Sequence, residues 1–297
     1  MSGNKVTRNQ HYVQRKYLSE WTDDLTTTGF AIIEIDGKTP KPIRITNVLF
    51  EKDFYKLPIL SFDEIEACKA ILSALPFVSE KTTDDYIYNL RVTKKVGEAR
   101  NQKDLKDFEK VLIQVGEGFQ TIVEGMMDDT LRKKILSRDS SFLNLQEERY
   151  GFLAYVFMQY LRTPRVKSIF SKNIDDYVKK KNMTGVSGEN IWAVIHGAIA
   201  SDTAHSFFQK RDLTVQFLVS KKKDLMTCDC PVVRLEPARD GFDRFYYPFS
   251  PDLALIISTN REETGVQLLN DLEVSYYNEL IRKNAERIIV YKNRKQQ

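Results

Sequence analysis

The spacing of apolar positions changes twice along the chain. Residues 12–21 predict a short helix. Two runs rich in β-branched residues, 30–35 and 43–50, then flank Asp36-Gly37 and Pro40 and predict two strands joined by a loop. From residue 61 the spacing becomes three and four. Ser61 with Glu64 three positions on has the form of a capping box, Ile65, Cys68, Leu72 and Leu75 form the stripe, and Pro76 ends it. Residues 104–127 repeat the helical spacing through Phe108, Leu112, Val115, Ile122 and Met126, with Gly116 and Gly118 weakening the middle by about 1 kcal/mol each. Residues 131–136 predict a further short helix. Residues 143–170 predict the longest one, apolar nearly all round and therefore buried, with Pro164 bending or ending it.

An amphipathic turn over 174–181 ends in Lys179-Lys180-Lys181. A loop at 184–188 and a helix at 189–211 follow. Strand-length runs then dominate, at 213–219, 231–235, 244–247 and 253–258. A helix at 266–281 and a strand at 287–291 close the chain. Segregated runs of this kind predict an α+β fold, with a long helical middle (about 61–211) packed against a small mixed sheet built from the N-terminal and C-terminal strands. We expect one domain over 1–297, with the β-rich part at about 212–291 and 183–188 as its only internal seam.

Composition narrows the class. With 42% hydrophobic and 29% charged residues, the 297-residue chain reads as a globular protein that is not disordered. A net charge of +4, from 45 basic and 41 acidic residues, gives no strong argument for nucleic acid unless the charge is segregated onto one face. The best apolar stretch, 152–161, is far below the roughly 18 residues of a spanning helix, so no membrane partner is expected. Residues 1–10 carry no apolar run of a secretory signal, and an odd count of three cysteines fits a reducing cytosol. Cys228 and Cys230, two apart and about 6–7 Å from each other on a strand, do not suit a disulfide.

Phosphate loops, dinucleotide turns, zinc helices and nucleophile elbows are absent from the sequence, and Gly116-Glu117-Gly118 sits inside a helical pattern. With only His11, His196 and His205, histidine-rich metal sites are nearly excluded, and no metal ligands are assigned. His11 is the first candidate: imidazole exchanges protons near neutral pH, and Asn9 and Gln10 stand ready to orient it. The alternative is a helix cap or packing contact. Asp229, between two cysteines and ahead of Pro231, either orients a base or holds a divalent ion, or else forms an Asx-turn with its own backbone. Gln159 and Arg162 share a helix face, where an amide beside a guanidinium fork suits a phosphate; the alternative is a C-terminal cap paired with an acid. Asn270 invites a reason because asparagine inside a helix is costly. The basic runs at 132–134, 179–181 and 221–223 are solvated faces unless they converge on a phosphate backbone.

Three signatures tie these candidates together. They are Asn9-Gln10-His11-Tyr12-Val13 with Tyr17, Leu18 and Trp21; Gln159-Tyr160-Leu161-Arg162-Thr163-Pro164; and Thr227-Cys228-Asp229-Cys230-Pro231-Val232 with Pro248-Phe249-Ser250-Pro251 behind it. In this order, and with Leu269-Asn270 after them, they resemble the microbial family catalogued as domain of unknown function 4238. The sequence departs from that pattern at Gln14, where the family has proline, at Trp21, where it has phenylalanine, and at Cys228, where it has serine. The resemblance implies one family-length domain and carries over no catalytic residue, cofactor or substrate. Microbial families of this kind often accompany phage-defence genes.

The expectation is an enzyme-like effector acting on nucleic acid or nucleotide phosphodiesters, a nuclease or phosphodiesterase. His11 would transfer a proton, Asp229 would orient it or hold an ion, and Gln159, Arg162 and Asn270 would bind substrate. The rival is a non-catalytic ligand-binding or protein-interaction module in which the same residues serve as caps and turns. Cofactor, metal dependence and oligomeric state are not legible.

Overall fold

A computed structural model describes residues 9–98, 102–180, 185–235 and 243–292. The chain opens with β1 (Asn9–His11), a single helical turn α1 (Arg15–Leu18) that runs on as a 3-10 turn (Ser19–Trp21), then β2 (Phe30–Ile35), β3 (Lys41–Arg44) and β4 (Phe50–Lys52). The helical middle comprises α2 (Phe62–Ser73), α3 (Glu80–Glu98), α4 (Gln102–Gly125), α5 (Asp129–Leu136), α6 (Gln146–Leu161), α7 (Pro164–Lys180) and α8 (Gly188–Gln209). Strands β5 (Thr214–Val219), β6 (Thr227–Cys228), β7 (Val233–Leu235), β8 (Arg244–Ser250), β9 (Leu253–Ser258) and β10 (Gly265–Leu268) follow, before α9 (Asp271–Asn284) and β11 (Ile288–Tyr291). The class is α+β. The terminal strands do share a sheet, four-stranded and antiparallel in the order β3-β2-β11-β6. The other C-terminal strands form a second sheet in the order β10-β5-β9-β8-β7, and β1 pairs with β4 alone.

Local chemistry explains the boundaries. Ser61 accepts a hydrogen bond from the Glu64 amide, and the Glu64 carboxylate answers at the Ser61 amide, so the capping box starts α2 as its spacing predicts. Pro164 ends the expected helix rather than bending it: α6 stops at Leu161, and α7, which takes in most of the turn expected at 174–181, begins on the proline, where a missing N–H costs nothing. The turn after β2 has Asp36 and Gly37 both at positive φ, the backbone that a tight antiparallel reversal needs. Gly188 opens α8 directly against the Ser171 carbonyl, where a Cβ would collide.

Two readings need correction, and one helix went unread. The run 43–50 is not one strand: β3 stops at Arg44, a 3-10 turn takes Ile45–Asn47, and Leu49 at φ 60° turns the chain into β4. Helix α3 carries only a sparse stripe, with Thr83, Ile87 and Gly97 buried, and its spacing gave no signal. The segment 266–281 is not continuous helix. Val266 and Leu268 belong to β10, parallel to β5, and the helix begins only after Asn270. Asn270 is therefore not an interior residue but the N-cap of α9: its side chain accepts from the Leu272 and Glu273 amides, and Glu273 returns to the Asn270 amide. Asn270→Ala should lower stability by about 1 kcal/mol in urea melts, and Asn270→Asp should restore it. Residues 181–184, which include Lys181 and the first two positions of the expected seam, lie outside the described residues.

The main core gathers α6, α8, the five-stranded sheet and the N-terminal motif. Residues Phe152 to Gln159 of α6 are buried without interruption, as an all-round apolar helix requires. At the centre stands Tyr17. Its hydroxyl donates to the Pro248 carbonyl at 2.6 Å and meets the Thr227 hydroxyl at 2.6 Å, while its ring stacks on Tyr247 at 5.3 Å. Trp21, fully buried, donates to the Leu225 carbonyl at 3.0 Å. The first and third signatures thus meet on one tyrosine, inside the core.

Candidate functional site: a polar cleft at the N-terminal strand

The first and second signatures meet as well, at the surface end of α6. Pairing with β4 sets Gln10 against Glu51 and His11 against Phe50. The Gln10 side-chain oxygen then accepts the Tyr55 amide at 2.6 Å, and the His11 carbonyl accepts the Tyr55 hydroxyl at 3.0 Å. The Tyr12 carbonyl accepts Gln159 Nε2 at 3.2 Å, and Gln14 Oε1 accepts the Tyr155 hydroxyl at 2.8 Å. Arg162, fully buried at the C-cap of α6, donates from Nη2 to Gln159 Oε1 and lies within hydrogen-bonding reach of the Tyr55 hydroxyl. Segment 10–14 is held from beneath by α6 and from the side by Tyr55.

These bonds leave specific atoms over. Gln10 Nε2, Gln14 Nε2 and His11 Nδ1 are buried with no partner among the described residues. All three side chains line one cleft of about 430 Å³, shared with Arg15, Lys16, Tyr55 and Glu124. A buried amide N–H without an acceptor is costly, by about 1–3 kcal/mol, and marks a place where water or a ligand is expected. Burial, with the Arg15 charge beside it, lowers the His11 pKa to about 4, so the imidazole is neutral at pH 7. Burial holds the Tyr55 phenol up at about 12, a donor throughout the physiological range.

Asp229 stands apart from this cleft. Its carboxylate is 2% exposed and accepts three backbone amides, Glu286 at 2.9 Å, Arg287 at 2.8 Å and Ile288 at 3.0 Å. Burial raises its pKa, and the three donors pull it back. The residue bonds backbone, as the turn reading holds, and chiefly that of a segment almost sixty positions away. Cys228 and Cys230 bond each other locally, Sγ of Cys228 donating to the Cys230 carbonyl at 3.1 Å, and burial pushes the Cys230 thiol up to about 12. Neither is an activated nucleophile. Asn270, capping α9, does not line the cleft either. No group of three or more potential metal ligands occurs among the described residues. Three members of the basic runs are paired, Arg132 with Glu20, Lys134 with Glu148 and Lys222 with Asp271.

Tyr55, Gln14 and Glu124 escaped the sequence reading. Gln14 had left a signal, as a departure from the resembled motif. Tyr55 and Glu124 had left none, since each is an ordinary residue until the fold brings it to segment 10–14.

His196, 6% exposed, donates from Nδ1 to the Trp192 carbonyl at 3.0 Å, and burial lowers its pKa to about 4. The unfolded chain therefore binds more protons than the folded one between about pH 4 and 6.5. Stability should be full above about pH 6.5 and decline as pH falls towards 4, by about 3 kcal/mol for His196 alone. Urea melts of the protein and His196→Gln across that window should show the variant losing less; parallel curves would contradict this.

The family model described as Protein of unknown function (DUF4238) matches residues 9–295. No curated protein and no solved structure matches the chain.

Proposed function

The chain belongs to the DUF4238 family, and from the chemistry of its N-terminal cleft we propose that it binds a phosphate-bearing ligand, a nucleotide or nucleic acid, at residues 10–16. One observation carries the reading: three residues that each hold a partnerless buried polar atom, an amide donor in two of them, line one cleft together with Arg15 and Lys16. Amide and guanidinium donors around a concave site suit an oxyanion rich in acceptors. The His11 imidazole is neutral at pH 7 and so open to a proton, and a bound phosphate anion would raise its basicity, so we assign His11 as general base for phosphodiester cleavage. Gln159 and Arg162 act as positioning residues through the Tyr12 carbonyl and Tyr55, not as phosphate ligands. Asp229 has no part in this scheme.

Three buried cysteines free of disulfides favour a reducing cytoplasm as the setting. Cleavage of nucleic acid there is the activity that a phage-defence effector would need.

Calorimetric titration with inorganic phosphate and nucleotides, and incubation with labelled RNA and DNA with and without Mg²⁺ or Mn²⁺, test both halves. Gln10→Leu with Gln14→Leu should weaken anion binding by at least tenfold. His11→Ala should remove cleavage while binding persists. Unchanged anion affinity in the double variant rejects the cleft; cleavage unaltered by His11→Ala rejects its role.

A further inference from the structure

The polar cleft shares a wall with a second cavity of opposite character. It has a volume of about 400 Å³ and is lined by Tyr55, Leu57, Tyr86, Val115, Ala193 and His196, with other short side chains of α8. Three of its polar groups are bonded within the protein: the Tyr86 hydroxyl donates to the Val194 carbonyl, the His196 Nδ1 donates to the Trp192 carbonyl, and the Tyr55 hydroxyl donates to the His11 carbonyl. Most of the remaining lining is ring surface and methyl groups. His196 is held flat on Trp192, ring centroids 4.5 Å apart and planes 13° from parallel, so this wall is fixed in orientation.

Helix α4 spans both hollows. It gives Val115 to the apolar cavity, and Thr121 and Glu124 to the polar cleft. Val115 and Thr121 are six positions apart, a rise of about 9 Å along α4 and a rotation of about 240° around it, so the two hollows border different sides of this helix and adjoin at Tyr55.

Resting on the phosphate reading above, we propose that the ligand is a nucleoside phosphate, with its phosphate against Gln10, His11 and Gln14 and its base in the cavity between Tyr55, Tyr86 and His196. A planar base gains from stacking on ring walls, a contribution that a saturated chain of the same volume does not make.

The test is a titration of the whole chain with inorganic phosphate, ribose 5-phosphate, butyl phosphate and the four nucleoside monophosphates, repeated with Ala193→Leu, which fills the cavity. At least one nucleotide should bind tenfold or more tightly than ribose 5-phosphate, and Ala193→Leu should erase that gain without changing ribose 5-phosphate affinity. Ala198→Leu, on the same wall, repeats the test should Ala193→Leu unfold. Ribose 5-phosphate or butyl phosphate binding as tightly as every nucleotide overturns the base site and leaves the phosphate site standing, as does a preference that survives both fillings. Failure of every anion to bind removes both. A short RNA in the same titration separates a strand end from a free nucleotide as the source of this chemistry.

Discussion

Asp229→Ala is expected to destabilise the protein by about 4 kcal/mol, the largest effect of any single polar substitution proposed for this chain. The carboxylate accepts the amides of Glu286, Arg287 and Ile288, and its own amide donates to the Ile288 carbonyl at 3.1 Å. It therefore locks the edge strand β6 to the start of β11 in the four-stranded sheet. Alanine leaves three donors without an acceptor, at about 1–3 kcal/mol each, reduced at Glu286 and Arg287 because both are exposed to water. Asp229→Asn keeps one acceptor oxygen and turns an NH₂ towards the donors, so about half the loss is expected. Equilibrium urea unfolding reads both, and the alanine variant should melt roughly 10 °C lower. A wild-type midpoint for Asp229→Ala would show that the clamp carries no weight. A catalytic aspartate would behave the other way, losing turnover at unchanged stability.

Arg162→Ala is the second. The side chain is fully buried, and its loss leaves Gln159 Oε1 without its donor and a void where a long side chain had been. Truncations of this kind cost about 3–4 kcal/mol. Arg162→Lys keeps charge but not the planar fork, and should recover less than half. The functional consequence is separable from the thermodynamic one. Gln159 also holds the Tyr12 carbonyl, and Tyr55 holds that of His11. Loosening either frees segment 10–14, so nucleotide affinity should fall in Arg162→Lys even at temperatures where the variant is fully folded. Affinity that tracks only the folded fraction would argue against a positioning role.

Much of the architecture was legible because local chemistry and burial agreed. The Ser61–Glu64 box, the all-round apolar α6 and the Pro164 break each follow from one rule and stand where that rule puts them. Helix α3 was not legible, because a surface helix that buries little more than Thr83, Ile87 and Gly97 leaves no stripe to count. The merging of β10 with α9 has a different cause. Val266, Leu269 and Leu272 keep helical spacing by coincidence, while Asn270 and Glu273, which do mark a helix start, were in plain view. At the candidate site, the sequence pointed to His11, Gln159 and Arg162, which the fold brings into one neighbourhood through Tyr12 and Tyr55. It grouped Asp229 with them because both lie in matching motifs. Those motifs mix two duties: Tyr17, Trp21, Thr227 and Asp229 stitch the core, whereas Gln10, His11 and Gln14 face a cleft. Polar side chains saturated by main chain and polar side chains left unsaturated look alike in one dimension.

The pairing of β2 with β11 also fixes when the protein can finish folding. Asp36, at the end of β2, and Arg287, at the start of β11, are 251 positions apart, and they close on each other through a two-pronged ion pair. A ribosome adding about 5–20 residues each second leaves β2 with one bare edge for roughly 12–50 s. Until Ile288 to Tyr291 emerge, that edge is a template for any passing strand, and nascent chains crowded on one message are where it would be used.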